Sequence, residues 1–166
     1  LTAFVSQQAQ PTAPPAASSP ASPPASPPQS QVQGAEEAIG IFVSDLDHGK
    51  SHMSNLIDIN YSSEEIVDEN IGVKIVFVKD QQDTLYELVA PYGSKSPVKE
   101  ALSKGRNLLN HVAYVSDKFD EEILRFRDQG CVPLGTPQKA KAFRGARVIF
   151  FLTSLGFIFE LIEGPL

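Results

Sequence analysis

Displaced by 73 positions, the two halves of this 166-residue chain overlay one another. Lys74 falls on Arg147, IVFV (75–78) on VIFF (148–151), and YELV (86–89) on FELI (159–162). Within these runs Glu87 falls on Glu160, and AIGIF (38–42) falls on HVAYV (111–115), which sets His111 against Ala38. A duplication of this kind restricts the chain to two copies of one supersecondary unit sharing a core. Around a pseudo-two-fold axis Glu87, Glu160 and His111 line one cleft. Ala38 then stands at the fourth corner and offers no polar group.

The repeat does not reach the start of the chain. Residues 1–34 read as an interdomain linker: they carry no charge, and 8 of the 13 prolines lie between Pro11 and Pro28. Such an Ala/Pro/Ser/Gln tract buries too little apolar surface to offset its ordering entropy, and extended, semi-rigid chain is expected. Residues 35–166 hold every charged side chain and read as one domain, with module one at 35–92, a connector helix at 96–104 and module two at 108–166. A start at Leu1 is expected of a processed product or an excised piece. No basic segment followed by an apolar core marks a signal peptide. The most apolar stretch, 148–162, is too short for a membrane span and contains Glu160. One cysteine, Cys131, excludes an internal disulfide and suits a reducing cytoplasm. A net charge of −6 gives nucleic acid no basic surface to bind.

Each half reads as strand, helix, strand, strand, strand, so the expected class is α+β with two βαβββ modules. In module two the strands are 110–115, 131–134, 146–152 and 157–162. Its helix, 118–129, places Phe119, Ile123 and Phe126 at helical spacing and three acids in the first turn. Module one repeats this with strands at 39–43, 57–61, 73–78 and 84–90 and a helix at 45–56. In SPVKEAL (96–102) Ser96 reads as N-cap and Pro97 as the first helical residue.

A lone glutamate in a strand reads as a solvent-facing position. Here Leu85 and Val89 share the face of Glu87, Tyr86 and Leu88 line the other face, and the pattern recurs in the second half. A buried carboxylate must be paired, protonated or metal-bound. His111 alone would be an ordinary strand histidine. Beside two carboxylates it becomes a candidate ligand or base, and the set of one imidazole and two carboxylates suits a divalent first-row metal.

GVKIVFV (72–78), LYELVAP (85–91), SPVKEAL, NHVAYV (110–115) and FELIE (159–163) resemble, in order and spacing, the vicinal oxygen chelate superfamily. That group includes glyoxalase I, bleomycin-resistance proteins and extradiol dioxygenases, and the resemblance is nearest to methylmalonyl-CoA epimerases. It implies a cupped fold and a divalent metal (Co, Mn, Ni, Zn or Mg) on Glu87, His111 and Glu160. The fourth ligand position is Ala38, which leaves a metal-free site open as well. Glu36 and Glu37 lie near it, but a shift of one residue along a strand turns the side chain to the opposite face; His48 and His52 share a face of the first helix and read as exposed residues before they read as replacement ligands. The epimerase catalytic carboxylate falls on Asn70, with Glu69 one residue earlier as the substitute. Catalysis is therefore assigned to Glu160, Glu87 and Glu69, and substrate binding to Asn70, Tyr114, Lys141 and Arg144. The loop QKAKAFRG (138–145), with Lys139, Lys141 and Arg144, reads as a solvated turn or as a clamp for a phosphate or carboxylate.

LTAFV (1–5) before the linker resembles the end of a carrier domain, the layout of a polyketide or peptide megasynthase. Expected partners are an acyl carrier protein or a CoA thioester and neighbouring megasynthase domains, with no nucleic acid or membrane. A homodimer stays open. The expected function is proton transfer next to the carbonyl of an acyl thioester: epimerisation, isomerisation or elimination. The alternative is a metal-free module that keeps the cup for binding or scaffolding and has lost the chemistry.

Overall fold

The computed structural model describes residues 37–105 and 108–164. The linker at 1–34, the carrier-like segment within it, and Glu36 lie outside the described residues. The first module runs β1 (Ile39–Phe42), α1 (Leu46–Leu56), β2 (Ile59–Ser62), β3 (Ile66–Asp68), β4 (Val73–Asp80) and β5 (Leu85–Pro91). Helix α2 (Pro97–Lys104) leads to the second: β6 (Leu109–Ser116), α3 (Phe119–Asp128), β7 (Val132–Pro133), β8 (Gln138–Lys139), a 3-10 turn (Lys141–Phe143), β9 (Arg147–Leu152) and β10 (Ile158–Glu163). The expected α+β class holds. Each module carries one more short strand than the βαβββ pattern: β8 arises in a segment whose Gly and Pro residues read as loop, and β3 in the stretch between the second and third expected strands.

All ten strands form one sheet in the order β2-β4-β5-β1-β6-β10-β9-β7, with β3 on β4 and β8 on β9. The 73-residue displacement is built into its register. Ile39 faces Tyr86 in the parallel β1–β5 pair, and Val112 faces Phe159 in the parallel β6–β10 pair. Strands β1 and β6 meet antiparallel with Ile39 opposite Val112. These two residues are themselves one repeat apart, so the pseudo-two-fold axis passes through their pair.

Alternation then sorts the side chains. On one face α1 packs Leu46 against Val76, Val78, Leu88 and Ala90, and α3 packs Phe119, Ile123 and Phe126 against Ile149, Phe151 and Leu161. Asp45 caps α1 by accepting from the His48 N–H at 3.0 Å. At α2 Pro97 does take the first turn, but Ser96 makes no capping hydrogen bond; its buried Oγ has no partner. The other face is concave. There Val73, Ile75, Phe77, Val89, Val98, Ala113, Phe143 and Val148 form the largest core cluster.

Asp68, fully buried at the end of β3, ties the modules together. Its Oδ1 accepts from the backbone N–H groups of Asn70 and Ile71 at 3.1 and 3.2 Å. Its Oδ2 accepts from the backbone N–H of Lys141 at 2.8 Å. Lys141 is the residue one repeat away, so this bond joins equivalent points of the two copies. No helix among the described residues is long and apolar enough to cross a membrane.

Candidate functional site

Glu87 sits mid-strand in β5, between Gly40 of β1 and Phe77 of β4. Glu160 sits at the matching place in β10, between Ala113 of β6 and Phe150 of β9. His111 lies on β6 opposite Gly40. All three are buried and open onto one concave cavity of about 660 Å³. His111 Nε2 is 3.0 Å from Glu87 Oε2 and 3.1 Å from Glu160 Oε2. One potential ligand atom from each of the three lies within 4.8 Å of the others.

Two local features seat the imidazole. The register shifts between Gly40 and Ile41, whose partners are His111 and Leu109, so Asn110 is an extra residue in β6. Such a bulge turns consecutive side chains to one face. Asn110 and His111 both line the cavity, and Asn110 Oδ1 lies 3.1 Å from His111 Nδ1. The second feature is Gly40. A Cβ there would fall 2.1–2.4 Å from three ring atoms of His111, so only glycine leaves room for the ring. Phe150 adds an edge contact with centroids 5.5 Å apart. Gly40→Ala is therefore expected to destabilise the fold by about 1–3 kcal/mol through overpacking and to move the ring off the carboxylates. A thermal melt and the histidine NMR resonances check this, and unchanged spectra would mean that the ring keeps its place beside the added methyl.

Both ring nitrogens face oxygen acceptors. Burial works against charge on His111, but its contacts with Glu160 and Glu87 outweigh it and raise the imidazole pKa to about 10. Burial pushes the Glu160 carboxyl up, against the pull of His111. Without metal the site thus holds an imidazolium between two carboxylates. Glu160 Oε2 is buried, yet despite its distance from Nε2 no hydrogen-bond donor is aligned with it.

That orphaned oxygen, with three donors converging, fits a divalent cation. Glu87, His111 and Glu160 would hold it, and the Asn110 amide oxygen would keep the proton on Nδ1 so that Nε2 faces the ion. Ala38 supplies nothing: it is buried in the apolar cluster. The alternatives among the described residues do not replace it. Glu37 is exposed, and His48 and His52 are exposed on α1, stacked on each other at 6.3 Å, on the opposite side of the sheet. A metal ion must displace the Nε2 proton, so apparent affinity is expected to rise by up to about tenfold per pH unit from neutrality towards pH 10. Calorimetric titrations at pH 6.5 and 8.5 with one divalent metal measure this. Equal affinities would mean that His111 is not a ligand.

Other residues singled out from the sequence lie elsewhere. Glu69 is exposed and does not line the cavity, because its neighbour Asp68 takes the inward position. Asn70 does line it. Lys141 and Arg144 are exposed outside the lining, as is Lys139. Tyr114 projects to the helix face, against Phe159 at 5.9 Å, because His111 and Ala113 take the concave side. Most of the remaining wall is apolar, with Phe42, Val89, Val98, Phe143 and Val148. Lys104 also lines the cavity, paired with Glu100 at 2.5 Å. Sequence reasoning overlooked it because its helix read only as a connector.

A profile of the Glyoxalase/Bleomycin resistance protein/Dioxygenase superfamily matches residues 38–150. The chain belongs to this superfamily. Among solved structures it is similar to a hypothetical protein from Bacillus halodurans (22% identity, TM-score 0.66, 78% of this chain and 93% of that one). It is similar to methylmalonyl-CoA epimerase from Mycobacterium tuberculosis (22%, TM-score 0.65, 78% and 87%). It also resembles a methylmalonyl-CoA epimerase in complex with methylmalonyl-CoA and NH4+ (24%, TM-score 0.63, 76% and 92%). These likenesses establish the vicinal oxygen chelate fold. No curated protein matches the chain.

Proposed function

We propose that this chain moves a proton at the carbon beside the carbonyl of an acyl thioester. The observation that carries the proposal is the Glu160 carboxyl: buried at the cavity floor, raised in pKa, with one oxygen free of any aligned donor. A carboxyl so placed can take up and return an α-proton. His111 and Glu87 hold its position, and the positive charge of the imidazolium would offset developing enolate charge. A divalent ion on the same three residues would supply Lewis-acid stabilisation of that charge.

Epimerisation needs an acid and a base on opposite faces of the α-carbon. Glu69 lies outside the cavity lining and is not available as the second group. This favours one-base chemistry, isomerisation or elimination, over epimerisation. The thioester arrives on CoA or on an acyl carrier protein, and the exposed cations Lys139, Lys141 and Arg144 suit the phosphate of its arm. The neighbouring domains of a polyketide-type assembly line in the cytoplasm, joined through residues 1–34, are the setting this reading implies, with homodimerisation compatible. The bare corner at Ala38 and the outward Glu69 favour a second reading, a binding module without chemistry.

The test is α-proton exchange of 2-methylacyl pantetheine thioesters in D2O, followed by NMR. Exchange accelerated by the protein supports proton transfer. Ligand binding that chelator leaves unchanged, with no exchange of any thioester, would establish the binding module.

A further inference from the structure

We infer that the acyl group taken by this cavity carries no ionised carboxylate of its own. For the reaction this rests on the proton-transfer reading above; for the ligand it stands separately. The floor sets the charge. Glu87 and Glu160 are both buried there, and His111 is the one cationic group between them. Two carboxylates face a single imidazole there, so acidic groups outnumber basic ones and the metal-free floor does not attract a further anion.

The walls offer no remedy among the described residues. Lys104 is the one ammonium group of the lining; its side chain is 61% exposed, and Glu100 already meets its charge. Around the floor stand Val73, Ile75, Val89, Val98, Phe143 and Phe150. An anion moved there from water loses its hydration without gaining a partner. Besides Asn110, the uncharged polar groups of the lining, Asn70, Thr136 and Gln138, suit a keto or hydroxyl oxygen. The ligand class is therefore a neutral, α-branched acyl thioester, alkyl or oxygenated at the β-carbon. The malonyl type, which one of the similar structures holds as methylmalonyl-CoA, is disfavoured.

Two pantetheine thioesters of nearly the same shape separate the cases. 2-Methyl-3-oxobutanoyl pantetheine carries a methyl group where methylmalonyl pantetheine carries the carboxylate O⁻. Calorimetry on metal-free protein is expected to give at least about tenfold tighter binding of the neutral compound. Glu87→Gln removes one negative charge from the floor and is expected to narrow that ratio. Equal or tighter binding of the methylmalonyl compound, or binding of neither, overturns the inference. Exchange of the α-proton is recorded on the same samples. A neutral preference without exchange keeps the ligand class and removes the proton transfer. Faster exchange of the methylmalonyl compound keeps the proton transfer and removes the ligand class.

Discussion

Replacing Glu160 with glutamine is expected to slow protein-catalysed α-proton exchange by about 10²- to 10⁴-fold, the usual weight of a positioned acid–base group. The amide keeps the size and shape of the carboxyl but cannot carry the proton. The strand register around it, Ala113 on one side and Phe150 on the other, is set by backbone hydrogen bonds that the substitution leaves in place. Fold and cavity should therefore survive, and a circular dichroism melt serves as the control. Metal content, read by elemental mass spectrometry, should fall with the loss of one anionic ligand. Exchange at the parent rate in a folded Glu160→Gln protein would remove Glu160 from the chemistry and leave Glu87 to account for it.

Asp68→Ala should be the most damaging change outside the cavity floor. The carboxylate is fully buried, and three backbone N–H groups depend on it, those of Asn70, Ile71 and Lys141. An orphaned buried donor costs about 1–3 kcal/mol, and because Asn70 and Lys141 are exposed residues whose N–H groups water can reach, a total loss of about 1–3 kcal/mol is expected. Asp68→Asn should fall between, because its NH2 would turn one donor towards another. The adjacent Glu69→Ala, at an exposed position, should stay within about 0.5 kcal/mol of the parent. Urea denaturation of the three variants measures these differences. A cost under about 1 kcal/mol for Asp68→Ala would mean that water replaces the carboxylate and that the cross-module bond contributes little.

The three residues of the floor were legible in the sequence for a physical reason. A carboxylate inside an apolar strand is costly unless paired, and the same cost repeated at Glu87 and Glu160 is hard to explain by surface exposure. The displacement between the copies also anticipated the register, since Tyr86 against Ile39 and Phe159 against Val112 are the same pair twice. Other residues gave no such signal. Asn110 reads as an outward position by alternation, and only the bulge opposite Gly40 and Ile41 turns it onto the imidazole. Glu69 and Asp68 are adjacent acids, and composition cannot say which one the turn before Gly72 buries. Tyr114 resembled a cavity residue from its closeness to His111 and lies on the far face by simple parity. Gly40 matters through a ring 71 positions further along the chain.

Local chemistry and periodicity, both written along the chain, determined that there are two modules, which residues belong to their cores, and which buried charges need a partner. The tertiary structure decided which charges meet, because the distance between residues of different strands depends on register, bulges and the axis between the modules. His111 between Glu87 and Glu160, and Asp68 bound to the N–H of Lys141, exist only once the two copies have closed on each other.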